Sequence, residues 1–263
     1  MMAPRPGHVF PHAPALCGHR GAGKGEGENT LRSFRAAVAA GLGWVEVDAR
    51  VTADDVLVAR HDPVVPDGRF VADLRAEEAD ELGLMRVADL LEDLPPEVGL
   101  DIDLKSSLED AVRPSERTTA GLVGALAARE RERRPLLVTS FDPGALLAVR
   151  ELAPGVPLGW LTWLWFPLRK AIAGAASLGL EVVAPHIESF PLRHGADPPV
   201  EPDIAVSVDV AHRAGLEVLV WCPSEADAAL LDEAGVDGFV IDDVPDWRYA
   251  HPGAAETRQE RLA

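Results

Sequence analysis

The chain alternates short apolar runs with alanine-rich segments of helical periodicity, almost from end to end. Eight of the apolar runs are predicted to be strands: ALCGH, WVEVDAR, GLDIDLK, PLLVTSF, VPLGWLT, LEVVAPH, LEVLVWC and VDGFVID. Glycines follow several helical segments, as they often do at helix C-termini: Gly41, Gly179, Gly215 and Gly235. Eight such units in about 250 residues predict a TIM (β/α)8 barrel, with an open doubly wound sheet as the alternative.

One segment departs from this alternation. After the second strand, VLVARHDPVVPDGRFVADL is typical of a hairpin, so residues 54–85 are predicted to be an insertion. A single catalytic barrel is expected over residues 15–250, with an N-terminal tail over 1–14 and a flexible C-terminal tail over 251–263. Because loops at the C-terminal face of a barrel carry its chemistry, the insertion is a candidate contributor to the site.

Charge and cysteine content exclude some classes of function. Lys and Arg number 25 against 43 Asp and Glu, so the formal net charge is −18. Such a field repels nucleic acid, although a local group of cations could still bind a small phosphate ester. Cys17 and Cys222 lie far apart, which favours free thiols in a reducing compartment. Without a signal-peptide pattern or an apolar run of about 20 residues, we expect a cytoplasmic location and no transmembrane segment.

Carboxylates recur at every second position of two predicted strands. WVEVDARV places Glu46 and Asp48 on one face, and GLDIDLKSS does the same for Asp101, Asp103 and Lys105. A salt bridge with a helix cap, or an exposed edge strand, would also produce these patterns. Inside a barrel, however, converging carboxylates require a cation or donors. Oxygen ligands alone suit Mg²⁺ or Ca²⁺, so we expect one divalent cation.

Two histidines lie where predicted strands end. In CGHRGAGKGEGENT, His19 stands beside Arg20 before a glycine-rich loop, and in ARHDPV, His61 ends the hairpin. A surface position is the alternative for His61. Two imidazoles, an arginine and a metal suit acid–base chemistry on a phosphate ester.

These residues and their order resemble one family. GHRGAGKGEGENTLRSFRAAVAAGLGWVEVDARVTADDVLVARHD is similar to the glycerophosphodiester phosphodiesterase family, which has His-Arg-Gly, Glu-Asn-Thr, Glu-x-Asp and His-Asp at nearly this spacing. The resemblance continues through LDIDLK, TSFDPGALLAVRELAP, EVLVWC and GVDGFVIDDVP, over about residues 16–245. It implies a TIM barrel with a small insertion after the second strand. It also implies metal-dependent hydrolysis of glycerophosphodiesters to an alcohol and glycerol 3-phosphate.

The resemblance also implies roles for individual side chains. The acid–base pair would be His19 and His61, the phosphate contacts Arg20 and Lys105, a contact to the substrate glycerol Trp221, and the metal ligands Glu46, Asp48 and Asp103. A substrate hydroxyl held by the metal would attack phosphorus while one histidine removes its proton. The other histidine would protonate the departing alcohol, and water would then open the cyclic phosphate.

The chain departs from the family pattern at two positions. Gly27 stands where the family usually has proline before Glu-Asn-Thr. Asp103 stands where the third metal ligand is usually glutamate, and its side chain is shorter by about 1.5 Å, several times the tolerance of a metal–oxygen distance. A shifted metal, a bridging water or help from Asp101 would each compensate.

Four further features were also interpreted, three of them in two ways. The segment 160–166, with Trp160 and Phe166 at its ends, is either a strand leading into a buried helix or an apolar lip that favours lysophospholipids and weak membrane-surface contact. His186 is either a satisfied polar residue or a substrate contact. Cys222 is interpreted as a packing residue, and Asp242 with Asp243 as caps of the final turn rather than metal ligands.

Two alternative functions therefore stay open. Lysophospholipase D-like hydrolysis is favoured by the aromatic lip, and a non-catalytic barrel that binds a phosphorylated ligand is favoured only by Asp103. Enolate or aldol chemistry lacks a suitably placed lysine apart from Lys105. The substrate in either hydrolytic case is a small molecule, and the sequence carries no mark of its head group, of the preferred metal or of the oligomeric state.

Overall fold

The alternating strands close into a parallel barrel in the computed structural model, which describes residues 7–23, 27–190, 204–242, 244 and 246–248. The barrel strands are β1 (Ala15–Gly18), β2 (Trp44–Val51), β4 (Gly99–Leu104), β5 (Leu136–Ser140), β6 (Leu158–Thr162), β7 (Val182–Pro185), β8 (Glu217–Trp221) and β9 (Gly238–Ile241). Neighbouring strands pair in parallel, and β1 pairs with both β2 and β9. The predicted TIM barrel is confirmed, and the predicted C-terminal tail lies outside the described residues.

Helices cover the outside of the barrel. They are α1 (Leu31–Ala39), α2 (Ala76–Glu81), α3 (Val87–Asp93), α4 (Thr119–Glu130), α5 (Pro143–Leu152), α6 (Leu168–Ser177), α7 (Ile204–Arg213) and α8 (Glu225–Glu233). Side-chain caps fix several starts: Thr30 accepts from the Ser33 N–H and Asp142 accepts from the Gly144 N–H. Within the part of the chain that the structure describes, no helix is long and apolar enough to cross a membrane.

The insertion after β2 begins with the predicted hairpin. A short strand, β3 (Leu57–Ala59), runs antiparallel to the end of β2, with Ala59 opposite Ala49. The chain then forms an isolated bridge between Val64 and Phe70 and the short helix α2, before α3 takes the place of the second barrel helix. The sequence did not predict α2, because AEEADE is too short and too acidic to show an apolar period.

The segment that precedes β1 closes the N-terminal end of the barrel. The backbone N–H groups of Val9 and Phe10 donate to the Glu217 carboxylate, over 2.5 and 3.0 Å. The Phe10 ring is buried and packs edge-to-face on Trp44, with 5.3 Å between centroids. Part of the expected N-terminal tail, residues 1–14, is therefore packed against the N-terminal end of the barrel, which we call the barrel floor.

Candidate active site

The three predicted metal ligands meet at the C-terminal end of the barrel. Glu46 and Asp48 share one face of β2, and the strand register pairs Asp48 directly with Asp103 of β4. One oxygen from each carboxylate lies within 4.8 Å of the others, and all three residues are buried. The structure thus brings Asp103 into the cluster despite its shorter side chain.

This carboxylate cluster (Glu46, Asp48 and Asp103) fits a divalent cation. Buried oxygens of Glu46 and Asp103, Oε1 and Oδ1 respectively, accept no hydrogen bond from the described residues. A buried carboxylate oxygen without a donor is unfavourable unless a cation compensates it, and an all-oxygen set suits Mg²⁺ or Ca²⁺. Asp101 is not part of this group of oxygens, and its Oδ1 accepts a 2.8 Å hydrogen bond from Thr139.

Burial sets opposite ionisation preferences within the cluster. For Glu46, burial and the nearby charges of Asp48 and Asp103 raise the pKa well above its ordinary range. Burial opposes ionisation of Asp48 as well, but Lys105 and Arg20 outweigh it and lower that pKa. Ionisation of Glu46 is therefore unfavourable in the metal-free cluster, and a divalent cation would favour it.

Both predicted phosphate contacts lie against the cluster. Lys105 places Nζ 2.9 Å from Oδ1 of Asp48 and also contacts Oδ2 of Asp103. Burial would lower the pKa of Lys105, but the surrounding carboxylates raise it more, so the amine stays charged. Arg20 places Nε 3.2 Å from Oδ2 of Asp48, and its Nη1 donates to Glu28 over 2.8 Å. With a divalent cation in the cluster, Arg20 and Lys105 would make the net charge of the mouth positive, which suits an anionic phosphate.

The His-Arg-Gly to Glu-Asn-Thr loop positions these groups. The Arg20 N–H donates to Oε2 of Glu46 over 2.8 Å, from a backbone with a φ of 54°. Asn29 holds Asp48 from both sides, donating to its carboxylate and accepting from its N–H. Gly27 has a φ of 78°, which proline cannot adopt. The backbone conformation of this loop therefore differs from one that has proline at this position, as the family usually does.

His19 lies between the cluster and a fourth carboxylate. Its Nε2 is 4.0 Å from Oε2 of Glu46, and its Nδ1 contacts Oδ1 of Asp242. Because an ionised carboxylate can only accept, Nδ1 carries the proton and Nε2 remains available for proton exchange. Gly23 supports this arrangement, since a Cβ there would lie 1.3 Å from the Asp242 carbonyl oxygen.

The strand registers bring His61 towards His19. On the edge of β2 opposite β4, β1 pairs with the lower residues, so that Gly18 lies opposite Val45. On the same edge, β3 runs antiparallel to the upper residues of β2, and the Arg60 N–H that follows β3 donates to the Asp48 carbonyl over 3.0 Å. His19, which follows Gly18, and His61, which follows Arg60, therefore come next to the same part of β2. The His61 ring lies at the exposed rim, where Nδ1 pairs with Asp62 over 2.8 Å.

An aromatic wall, formed by Phe141, Trp163, His186 and Trp221, continues the site beyond Lys105. Phe141 lies 5.5 Å from the Lys105 Nζ, stacks on Trp163 at 4.2 Å and meets Trp221 edge-to-face. His186 packs on Trp221 at 4.2 Å, and burial lowers the pKa of its imidazole. The Trp221 indole N–H has no partner among the described residues, so it could donate to a substrate.

Each of the two interpretations of residues 160–166 applies to part of the segment. Trp160 packs edge-to-face on Phe166, and both rings are partly buried against the core. The exposed part is the turn Trp163, Leu164 and Trp165, whose outer tryptophans are 63% and 67% exposed. This exposed turn borders the aromatic wall through Trp163.

Two residues of the site were not assigned a role from the sequence. Asp242 was expected to cap the final turn, and the structure shows that it contacts His19, while Asp243 lies outside the described residues. Asn29 was noted only as part of Glu-Asn-Thr. Asp242 could have been found from barrel closure, because a closed barrel places the end of the last strand next to the end of the first, where His19 lies. For Asn29 the signal was a left-handed backbone position, which asparagine tolerates.

Fold and site together define a TIM-barrel protein with a carboxylate, histidine and arginine centre suited to phosphate esters. The model of the glycerophosphoryl diester phosphodiesterase family matches residues 19–246. The chain belongs to this family, and the expected enzyme class, a phosphodiesterase acting on glycerophosphodiesters, is confirmed.

Individual relatives agree with this assignment. The probable glycerophosphodiester phosphodiesterase 2 of Mycobacterium tuberculosis is 30% identical over 235 residues, which are 81% of each chain. A crystal structure of a glycerophosphodiester phosphodiesterase from Galdieria sulphuraria is similar with a TM-score of 0.71 and 25% identity, over 88% of this chain and 94% of that one. An Oleispira antarctica phosphodiesterase has the same fold, with a TM-score of 0.70 and 23% identity over 90% and 96% of the two chains.

Proposed function

We propose that the chain hydrolyses glycerophosphodiesters to an alcohol and glycerol 3-phosphate, with His19 and His61 as the acid–base pair. The observation that carries the proposal is the His19 imidazole, which contacts Asp242 on one side and lies 4.0 Å from Glu46 on the other. Family membership supports the substrate class. The Oleispira antarctica structure, similar in fold, was solved in complex with the product sn-glycerol-3-phosphate.

The carboxylate cluster would hold one divalent cation, Mg²⁺ or Ca²⁺. Bound there, the cation supplies positive charge that stabilises phosphoryl oxygens and makes a hydroxyl easier to deprotonate. Asp103 is included among the proposed ligands because one of its oxygens lies within 4.8 Å of oxygens of Glu46 and Asp48. Asp101 is not included, and its Oδ1 accepts a hydrogen bond from Thr139.

The protein's own groups account for the proton transfers. A substrate hydroxyl next to the phosphodiester attacks phosphorus, and one imidazole accepts its proton. The other imidazole donates a proton to the departing alcohol oxygen as that P–O bond breaks. Water then opens the cyclic phosphate, with the two imidazoles in exchanged roles. Arg20 and Lys105 neutralise the charge that builds on the phosphoryl oxygens, and Trp221 packs against the glycerol.

The direct test is release of glycerol 3-phosphate from glycerophosphocholine with Mg²⁺, with Ca²⁺ and with a chelator. His19→Ala and His61→Ala are expected to lower kcat on the order of 10²-fold to 10⁴-fold. His12→Ala is the matched control, because His12 is exposed and adjoins the segment at the opposite end of the barrel. Full activity in His19→Ala would overturn the proposed chemistry. No product from glycerophosphocholine would favour a lysophospholipid substrate, and no product from either, with intact metal binding, would favour the non-catalytic ligand-binding barrel.

A second candidate substrate is a lysophospholipid, and the exposed Trp163–Leu164–Trp165 turn is the observation that favours it. The turn extends the aromatic wall outward from Lys105, so an acyl chain could lie on it while the phosphodiester reaches the cluster. A monoacyl substrate keeps one free glycerol hydroxyl, which the proposed attack on phosphorus needs. The same turn could make weak contact with a membrane surface, and the chain's net charge of −18 favours a zwitterionic surface over an anionic one.

Choline release from lysophosphatidylcholine, compared with release from glycerophosphocholine, separates the two substrates. If the turn binds the acyl chain, Trp163→Ala and Trp165→Ala lower kcat/KM for the lysophospholipid more than for the water-soluble diester. Leu230→Ala on α8 is the control, because Leu230 is an exposed apolar residue outside the mouth. Equal effects on both substrates would remove the lysophospholipid from consideration.

A further inference from the structure

A second group of metal-binding atoms lies on the side of His19 away from the carboxylate cluster. It comprises Nδ1 of His19, Sγ of Cys222 and a carboxylate oxygen of Asp242, all within 4.8 Å of one another. The three residues follow β1, β8 and β9, which are neighbours in the barrel. The sequence predicted neither Cys222 nor Asp242 as a metal ligand.

The spacing of this group suits a tetrahedral ion. Sγ of Cys222 lies 3.8 Å from Nδ1 of His19. A Zn²⁺ ion with ordinary bonds to nitrogen and sulfur holds those two atoms about 3.6 Å apart. Asp242 now contacts Nδ1 directly, so its carboxylate has to rotate outward to become the third ligand. That side chain is 31% exposed, which leaves room for the rotation.

We propose that His19, Cys222 and Asp242 form a site for a thiophilic divalent cation of the Zn²⁺ type. Imidazole nitrogen and thiolate sulfur are ligands that Zn²⁺ prefers, whereas Mg²⁺ and Ca²⁺ prefer oxygen alone. The soft-metal site (His19, Cys222 and Asp242) and the carboxylate cluster thus lie on two sides of one imidazole and select different ions. Three protein ligands leave a fourth position for water.

Occupation of the soft-metal site changes the protonation of His19. As the ion bonds to Cys222, the thiol proton passes to solvent. As it bonds to Nδ1, the proton on that nitrogen moves to Nε2. Nε2 can then no longer accept a proton from a substrate, so Zn²⁺ inhibits turnover. This inhibition rests on the proposed role of His19, whereas ion binding does not.

Ion binding is tested on the full chain with Cd²⁺ and Zn²⁺. A bound Cd²⁺ gives an ultraviolet thiolate charge-transfer band, which we expect in the wild type and not in Cys222→Ser. In parallel, Zn²⁺ should slow alkylation of Cys222 by iodoacetamide, followed by peptide mass spectrometry. Cys17, 1% exposed inside the barrel, is the internal control and should stay unmodified with or without Zn²⁺. A band that persists in Cys222→Ser, or unprotected Cys222, would overturn the site.

The consequence for turnover is tested separately. Zn²⁺ is added to the Mg²⁺-supported release of glycerol 3-phosphate, and each variant is normalised to its own uninhibited rate. We expect the inhibitory concentration to rise at least about 10-fold in Cys222→Ser. Binding without inhibition would overturn the coupling to His19 while leaving the site intact. A wild type inactive with Mg²⁺ would count against the proposed function, and the Cd²⁺ band would still decide the site.

Discussion

Asp48 and Asp103 lie directly opposite each other on adjacent parallel strands, and one ammonium group, that of Lys105, contacts both carboxylates. The backbone pairing fixes the separation of the two residues, so the ligand set depends on side-chain length and charge. This makes Asp103 the most informative position of the carboxylate cluster.

Asp103→Asn is expected to weaken Mg²⁺ and Ca²⁺ binding by about 100-fold or more, because an amide loses the ligand charge. Isothermal titration calorimetry measures the change. Asp101→Asn is the matched control on the same strand, two residues deeper. Burial raises the pKa of Asp101 well above its usual range, and the amide there keeps an oxygen that can accept the hydrogen bond from Thr139. An equal loss of affinity in both variants would contradict the assignment of ligands.

Asp242→Asn is expected to lower kcat by about 10²-fold, while KM and Mg²⁺ affinity change little. The amide can still accept from Nδ1 of His19 but cannot balance the charge of an imidazolium. Steady-state kinetics and calorimetry measure the two properties separately. Asp246→Asn, at an exposed aspartate near the chain's end, is the control. A proportional rise of KM would indicate a binding role for Asp242 instead.

The metal-free protein should lose stability as the pH rises above the ordinary carboxyl range. Glu46 has a raised pKa when folded, so the folded state binds more protons there than the unfolded state. The free energy of unfolding then falls with rising pH until the raised pKa is passed. Ca²⁺ replaces those protons, so it should raise Tm more at about pH 8 than at about pH 6.

Differential scanning fluorimetry with and without Ca²⁺ measures this dependence. Glu46→Gln is the matched control, because its amide does not titrate and the Tm of the metal-free variant should vary less with pH. Surface carboxyls with lowered pKa values, such as Asp67, lose their contribution only at more acidic pH. A metal-free Tm that changes equally in both proteins between about pH 6 and about pH 8 would refute the prediction.

Phe10→Ala should lower the free energy of unfolding by about 3 kcal/mol, because it removes a fully buried ring from the barrel floor. Urea denaturation measures the loss, and metal affinity should be unchanged because the floor lies at the opposite end from the carboxylate cluster. Phe70→Ala compares the same substitution at a half-exposed position, where less than about 1 kcal/mol is expected. Similar losses at both positions would show that the floor contributes no special stability.

Local periodicity was enough to predict the barrel and one half of the site. Alternation along β2 and β4 placed Glu46, Asp48 and Asp103 on faces that do converge, and the helical segments formed where apolar spacing indicated. The hairpin of the insertion also followed from its composition. In each case the residue pattern that carries the prediction lies within one strand or helix, and packing against neighbouring elements is not needed to recognise it.

The other half depended on contacts between distant parts of the chain. Barrel closure brings Asp242 and Cys222 to His19, across 223 and 203 residues respectively. Neither contact leaves a local pattern, so Asp242 resembled a cap and Cys222 a packing residue. The extent of the lip could not be predicted for a related reason. Trp160 lies on a strand and packs outward against Phe166 rather than towards the mouth.

The in-register pairing of β2 with β4 also bears on how this chain could vary. Exchange of one side chain within Gly99–Leu104 alters one contact, as aspartate for glutamate at residue 103 illustrates. A single-codon deletion there would instead turn each later side chain to the other side of the sheet, carrying carboxylates into the apolar layer beneath the helices. Single substitutions in this strand can therefore accumulate gradually, whereas a change in its length cannot be tolerated.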